Sequence, residues 1–334
     1  MHALPWLDPV EQLGRVTPER LGLLERTAID LGEPSHPTST VRVWAALVND
    51  LPSRFVDRDE YRRTSLANWQ TMAAGWERQR AHMETVTKPI RDWLVRELAP
   101  QPGETILELA AGPGDTGLAA AALLGDEGRL ISTDFSSEMT EVARRHGREL
   151  GLLNVDYRTM DAESIDLDDD SVDGVICRFG FMLMSDTEAA LAETRRVLRP
   201  GGRLVFATWR GPELNPWVAI GGRILTARGL MPPNEPGAPG MFTMADDERV
   251  ESLLTAAGYS DVLIEDVRVS MAYGDIDDYV TATRDTGGAF SRAFSGASEE
   301  EQRAITQELA ESFAPFEVDG GLALPGVALV ALAR

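Results

Sequence analysis

Between Gly103 and Trp209 short apolar runs alternate with helix-patterned stretches, and this alternation limits the fold more than any other feature of the chain. The spacing predicts strands over Thr105–Leu109, Arg129–Thr133, Val155–Met160, Val172–Cys177 and Arg203–Trp209. Helices are predicted over Leu118–Leu124, Glu138–Leu150 and Thr187–Leu198. Such an order buries a parallel sheet between helical layers. Further on, Asp246–Ala257 reads as a helix and Val262–Tyr273 as a long alternating strand. Ile276–Arg284 and Glu299–Phe313 read as helices, and Gly326–Leu332 as a last buried strand. The expected fold class is α/β: one seven-stranded, mostly parallel sheet whose last strand runs antiparallel against 262–273.

Ahead of the sheet, Leu66, Trp69, Met72, Ala73 and Trp76 form one apolar helical face. Thr87 with Pro89 predicts a helix restart, because proline fits a first turn, and Ile90, Trp93, Leu94 and Leu98 continue a second face. Residues 1–55 carry six prolines and read as an extension: a small appendage, a poorly ordered stretch, or residues upstream of a start at Val56. The expected organisation is that extension followed by one domain over 56–334. Within the domain, 61–99 form a helical lid, 103–210 a cofactor-binding core, 211–245 a Pro/Gly-rich lid loop, and 275–320 a helical insertion.

Composition narrows the partners. The formal net charge of −22 over 334 residues repels polyphosphate, so nucleic acid is not expected as the main partner. No apolar run approaches the ~20 residues of a membrane-spanning helix, and Met1–Trp6 does not open a signal peptide. Cys177 is the lone cysteine, which excludes an internal disulfide and fits a reduced, cytoplasmic protein. Lys88 is the lone lysine, so a Schiff-base mechanism has no other residue to use. No metal site is predicted. The acidic run Asp166–Asp170 lacks the glycine and glutamate spacing of a calcium loop and reads as a solvated turn.

The informative segment is Glu108-Leu109-Ala110-Ala111-Gly112-Pro113-Gly114-Asp115-Thr116-Gly117. A strand enters, glycines let the backbone turn beside a ligand, and a helix leaves. From Gly112 it fits G-x-G-x-x-G, the dinucleotide pattern, and Asp134 follows 22 residues later where a ribose acid belongs. Glu108 argues against pyrophosphate, since a carboxylate at the strand end suits a cationic ligand. Asp161-Ala162 and Leu198-Arg199-Pro200-Gly201-Gly202 have no part in a dinucleotide pattern.

These landmarks resemble the class I S-adenosylmethionine-dependent methyltransferases, with the ubiquinone/menaquinone C-methyltransferase-like group most similar, over roughly Tyr61 to Arg334. Glu108, Leu109, Ala110, Gly112 and Gly114 match the first motif, with Ala110 standing where a glycine is usual. The resemblance implies a Rossmann-like sheet and S-adenosyl-L-methionine as cofactor. Asp134 then serves the ribose, Asp161 and Ala162 the adenine, and Phe135, Met139, Arg178 and Trp76 complete the cofactor site. Asp173 matches the acid that opens the fourth strand. The implied activity is methyl transfer to a small, largely apolar organic molecule at carbon, oxygen or nitrogen. Two readings stand beside it: an NAD-dependent oxidoreductase, and an S-adenosylmethionine-binding protein without catalysis.

Trp69, Phe179, Met182 and Trp217 are the candidate substrate contacts. Trp69 and Trp76, seven apart on one helix face, serve either core packing or a lid over the sulfonium. Arg178 and Phe179 follow the fourth strand, at the edge where open α/β sheets bind ligands. His82 reads as structural or exposed, His146 as exposed among Arg144, Arg145 and Arg148, and Cys177 as inert core. No catalytic residue is nominated, because no nucleophile–base constellation is visible.

Overall fold

The computed structural model describes residues 57–233 and 237–334. The expectation for residues 1–55 lies outside the described residues. The chain opens on α1 (Arg58–Leu98) and continues through β1 (Thr105–Glu108), α2 (Asp115–Ala121), β2 (Arg129–Asp134), α3 (Ser137–Glu149), β3 (Val155–Thr159) and β4 (Val172–Arg178). After these come α4 (Thr187–Val197), β5 (Leu198–Trp209), α5 (Pro216–Ala227), α6 (Asp247–Ala256) and β6 (Leu263–Tyr273). The C-terminal part comprises α7 (Ile276–Thr286), α8 (Gly288–Gly296), α9 (Glu299–Phe313), β7 (Glu317–Val318) and β8 (Gly321–Ala333).

The sheet order is β3-β2-β1-β4-β5-β8-β6, with β7 paired to β8. β1 to β5 run parallel, while β8 runs antiparallel to both β5 and β6. The expected pairing of the last strand is therefore present, in register from Leu263↔Leu332 to Tyr273↔Leu322. Among the described residues the sheet has eight strands where seven were expected. The extra one is the two-residue β7, which folds back on β8 through Gly320 and Gly321, both at positive φ. The strand cores, such as Ile106-Leu107, Val175-Ile176 and Leu329–Ala331, are fully buried, as sheets covered on both faces require. The insertion between β6 and β8 holds three helices where two were expected. α7 and α8 are separated at Gly287, and Ser298 caps α9 by accepting from Glu301 N.

The expected restart at Thr87–Pro89 is absent: α1 runs through Pro89 for 41 residues, about 60 Å. An internal proline removes one helical hydrogen bond at roughly 3 kcal/mol. Burial of Val86, Thr87, Ile90, Trp93, Leu94 and Leu98 holds the helix together across it. The Thr85 and Thr87 hydroxyls also donate back to the carbonyls of Ala81 and Met83. Strand order reverses between β1 and β4, which opens a crevice at their carboxyl ends, and the loops there form the floor of the site.

Candidate functional site

The first floor loop is set by where β1 must deliver its backbone. Ala110, Gly112 and Gly114 all have positive φ, at 51°, 54° and 85°, so the chain coils left-handed before α2. Glycine adopts that conformation freely, whereas Ala110 holds it against its own Cβ. Ala111 N–H donates to Thr133 O, and Gly112 N–H donates to Asp134 Oδ2 at 2.8 Å, tying the loop to the end of β2. The other Asp134 oxygen accepts from Ser136 N at 2.8 Å. A carboxylate has about four lone-pair directions. Asp134 therefore keeps acceptor capacity facing the cavity that it lines. Burial pushes its carboxyl up to about 6, against the backbone amides of Ser136, Gly112 and Phe135.

One cavity gathers the loop ends. Its floor is Ala110–Pro113 after β1, Asp134-Phe135 after β2, Asp161–Glu163 after β3, and Arg178–Gly180 with Leu183–Ser185 after β4. Met139 and Met160 add to the wall, and α1 roofs it with Tyr61, Arg62, Ser65, Trp69 and Trp76. Trp69 and Trp76 lie 6.2 Å apart, and the Trp76 indole N–H is buried with no acceptor among the described residues. An orphaned donor in a cavity wall fits a ligand carrying an acceptor atom there. Asp161 Oδ1 accepts from Glu163 N at 2.9 Å, and Ala162 lies beside it. The Arg178 side chain is 11% exposed; its Nη1 donates to Thr87 Oγ1 at 3.0 Å and its Nη2 lies 3.8 Å from Asp115.

Of the candidate residues, Ala110, Gly112, Asp134, Phe135, Met139, Asp161, Ala162, Arg178 and Trp76 are brought together, as are Trp69 and Phe179. Glu108, Gly114, Met182 and Trp217 are not. Glu108 points under the loop, where its carboxylate accepts from Gly117 N at 2.6 Å and Ser132 Oγ at 2.9 Å. Burial pushes its pKa up to about 8, and from this position it supports the loop without lining the cavity. Gly117 exists for this contact: a Cβ there would lie 2.2 Å from Glu108 Oε2. Gly114 starts α2 from below, packed against Ala143 and Leu118. A 3-10 turn at Phe181–Leu183 rotates Met182 inward, leaving Leu183 and Met184 to face the cavity. Trp217 stands two rings away, edge-on to Trp209, which stacks on the cavity-lining Phe179 at 4.4 Å.

His146, expected on the surface, is 6% exposed. Its Nδ1 lies 3.1 Å from Pro113 O and its Nε2 2.6 Å from Arg80 Nη1. A carbonyl only accepts and a guanidinium only donates, so Nδ1 carries the hydrogen. His146 thus joins the roof helix to the floor loop. Its signal was available: Met139, Val142, Ala143 and His146 share one helical face, whatever the charge of the adjacent arginines. Tyr61, Arg62, Ser65 and Glu163 were also missed. Arg62, Trp69 and Trp76 recur every seven residues, so extending the tryptophan face one step toward the N-terminus finds Arg62.

Residues 106–202 match the methyltransferase-domain family. The chain is similar to the ubiquinone/menaquinone biosynthesis C-methyltransferase of Pseudoalteromonas translucida, 38% identical over 87 residues, covering 26% of this chain and 35% of that one. It is also similar to the enzyme of the same name from Cronobacter sakazakii, 29% identical over 145 residues, covering 40% of this chain and 58% of that one. The chain therefore spans less than two thirds of the length of these curated relatives. Among solved structures, the YcgJ protein of Bacillus subtilis superposes with a TM-score of 0.50 at 20% identity, covering 73% of this chain and 96% of that one. The matched residues run from β1 into β5 and carry the floor loops, so it is this part of the sheet that is similar to S-adenosylmethionine-dependent methyltransferases.

Proposed function

We propose that the protein transfers the sulfonium methyl group of S-adenosylmethionine to a small, largely apolar organic acceptor. The observation that carries this reading is a single cavity with two kinds of lining residue. Asp134, Asp161 and the Ala110–Pro113 loop line it together with Trp69, Trp76, Phe179, Leu183 and Met184. The polar lining suits an adenosine: Asp134 for the ribose hydroxyls, Asp161 and Ala162 for the base, Phe135 and Met139 against its faces. Arg178 is placed for a carboxylate, which a guanidinium recognises through paired donors. When bound, the cofactor supplies an electrophilic methyl on a good leaving group.

What remains for the protein is to align the acceptor in line with that methyl and to exclude water. The aromatic and thioether side chains provide a dry wall for it. The curated relatives are named as C-methyltransferases, which favours carbon as the acceptor atom. A single buried cysteine, Cys177, supports action in a reducing compartment. The test is transfer of labelled methyl from S-adenosylmethionine to a panel of small phenols, quinones and amines, read as labelled product together with released S-adenosylhomocysteine. Release of neither product across the panel, by protein that binds S-adenosylhomocysteine, would leave a binding protein without catalysis.

A further inference from the structure

Arg62 stands where a planar base belongs. Its two terminal nitrogens pair with Asp161 Oδ2 and Glu163 Oε2, and its guanidinium carbon lies 5.6 Å from the centroid of the Phe135 ring. A guanidinium is flat, presents a fork of N–H donors and stacks on aromatic faces. An adenine ring is flat too, and its exocyclic amine also donates to a carboxylate. We infer that Arg62 is an internal stand-in for the adenine ring, occupying the nucleoside subsite formed by Asp161 and Phe135, so that the cofactor binds by displacing it. The inference rests on the cofactor assignment made above.

Two further features make Arg62 displaceable. The first is how its segment of α1 is held. From Arg58 to Met72 no residue of the helix is buried; the first is Ala73, and seven more follow toward Leu98. Apart from Trp69, which packs partly buried against Ala73, Met139 and Val142, the N-terminal four turns are docked by polar contacts: Arg62 on Asp161 and Glu163, Arg58 on Asp186, and the Tyr61 hydroxyl on Leu183 O at 2.8 Å. The Arg58–Asp186 pair is largely exposed and contributes little, the Arg62 pairs keep partial solvent access, and no residue here is fully buried, so this end of the helix opens at smaller cost than the packed end.

The second feature is the asymmetry of the two acids. Glu163 also accepts from Ser185 N at 2.7 Å, Ser185 Oγ at 2.9 Å and Asp186 N at 3.2 Å, so it stays satisfied when Arg62 leaves. Asp161 keeps its bond from Glu163 N on Oδ1, and its Oδ2, now paired with Arg62, becomes the free acceptor. Departure of Arg62 thus exposes the one oxygen that an exocyclic amine needs and bares the Phe135 ring, while Glu163 keeps its bonds from Ser185 and Asp186.

The consequence has an unusual sign. Truncating a residue that lines a ligand site ordinarily weakens binding, whereas Arg62→Met, which keeps the aliphatic stem and loses the fork, should tighten it. The experiment is calorimetric titration of the full chain and of Arg62→Met with S-adenosylhomocysteine and with 5′-methylthioadenosine, which shares the nucleoside and lacks the amino-acid tail. The expected result is a several-fold gain in affinity for both ligands, with faster association by stopped-flow tryptophan fluorescence. Should Arg62→Met lose its melting transition, Arg62→Gln carries the same comparison. Binding by the parent with equal or weaker binding by the folded variant overturns the stand-in and leaves the cofactor assignment intact. Absence of binding by both proteins overturns the two together.

Discussion

Asp134 on the floor and Arg62 on the roof line the same cavity and are held in opposite ways. Asp134 is fixed by backbone amides, those of Gly112 and Ser136, in a geometry that the loop cannot adopt without its glycines. Arg62 is fixed by side chains alone, reaching Asp161 and Glu163 about a hundred residues further along the chain. Beneath the floor the difference sharpens: Glu108 is 2% exposed and bonded to a backbone amide and a serine hydroxyl. In the roof, nothing before Ala73 is buried. The floor is held by bonds between residues near in sequence, and the roof by side chains that reach distant segments.

The comparison breaks first if the floor proves soft. Gly117→Ala places a Cβ 2.2–2.9 Å from the Glu108 carboxyl atoms. Overpacking plus loss of a buried hydrogen bond should reduce stability by roughly 2–5 kcal/mol, read by denaturant unfolding. A change within half a kcal/mol would show that Glu108 has room to move.

Next in size is Asp134→Ala, which should weaken S-adenosylhomocysteine binding by roughly 1–3 kcal/mol, the scale of hydroxyls left unpaired. Because burial pushes the Asp134 carboxyl up to about 6, its ionised form prevails only above that value. Ribose hydroxyls donate to the ionised form, so affinity in the parent should fall as pH drops through about 6, and Asp134→Asn should lose that step. A flat profile in the parent would remove Asp134 from ligand contact.

The smallest expected effect concerns Ala110. Its φ of 51° lies where a side chain costs roughly 1 kcal/mol, partly offset in the unfolded chain. Ala110→Gly should therefore raise stability by about 0.5 kcal/mol with cofactor affinity unchanged. A loss of stability would mean that the methyl group, packed beside Gly180, contributes more than the backbone strain removes.

The same contrast explains what was legible in the sequence. Loops that must coil left-handed and close on an acid write glycines and carboxylates at fixed local spacing, so Gly112, Asp134 and Asp161 could be read directly. Glu108 was read as a residue of the site but not in its direction, because strand position leaves open which face a terminal side chain takes. Roof contacts leave no local pattern. Nothing near Arg62 in the sequence names Asp161 or Glu163, and only the seven-residue repeat with Trp69 and Trp76 hints that it faces inward. Pro89 misled for a related reason: its local preference is a first turn, and the burial that carries α1 past it comes from distant strands. Met182 and Trp217 were drawn in by residue type, and the 3-10 turn and the Trp209 ring that displace them from the cavity have no sequence signature.

The central claim is that this floor is built for S-adenosylmethionine rather than for a dinucleotide. Calorimetric titration of the full chain with S-adenosylhomocysteine and, separately, with NADH tests it most directly. The account predicts saturable one-to-one binding of S-adenosylhomocysteine, weakened in Asp134→Ala, and no heat from NADH under the same conditions. Binding of NADH with none of S-adenosylhomocysteine would contradict it.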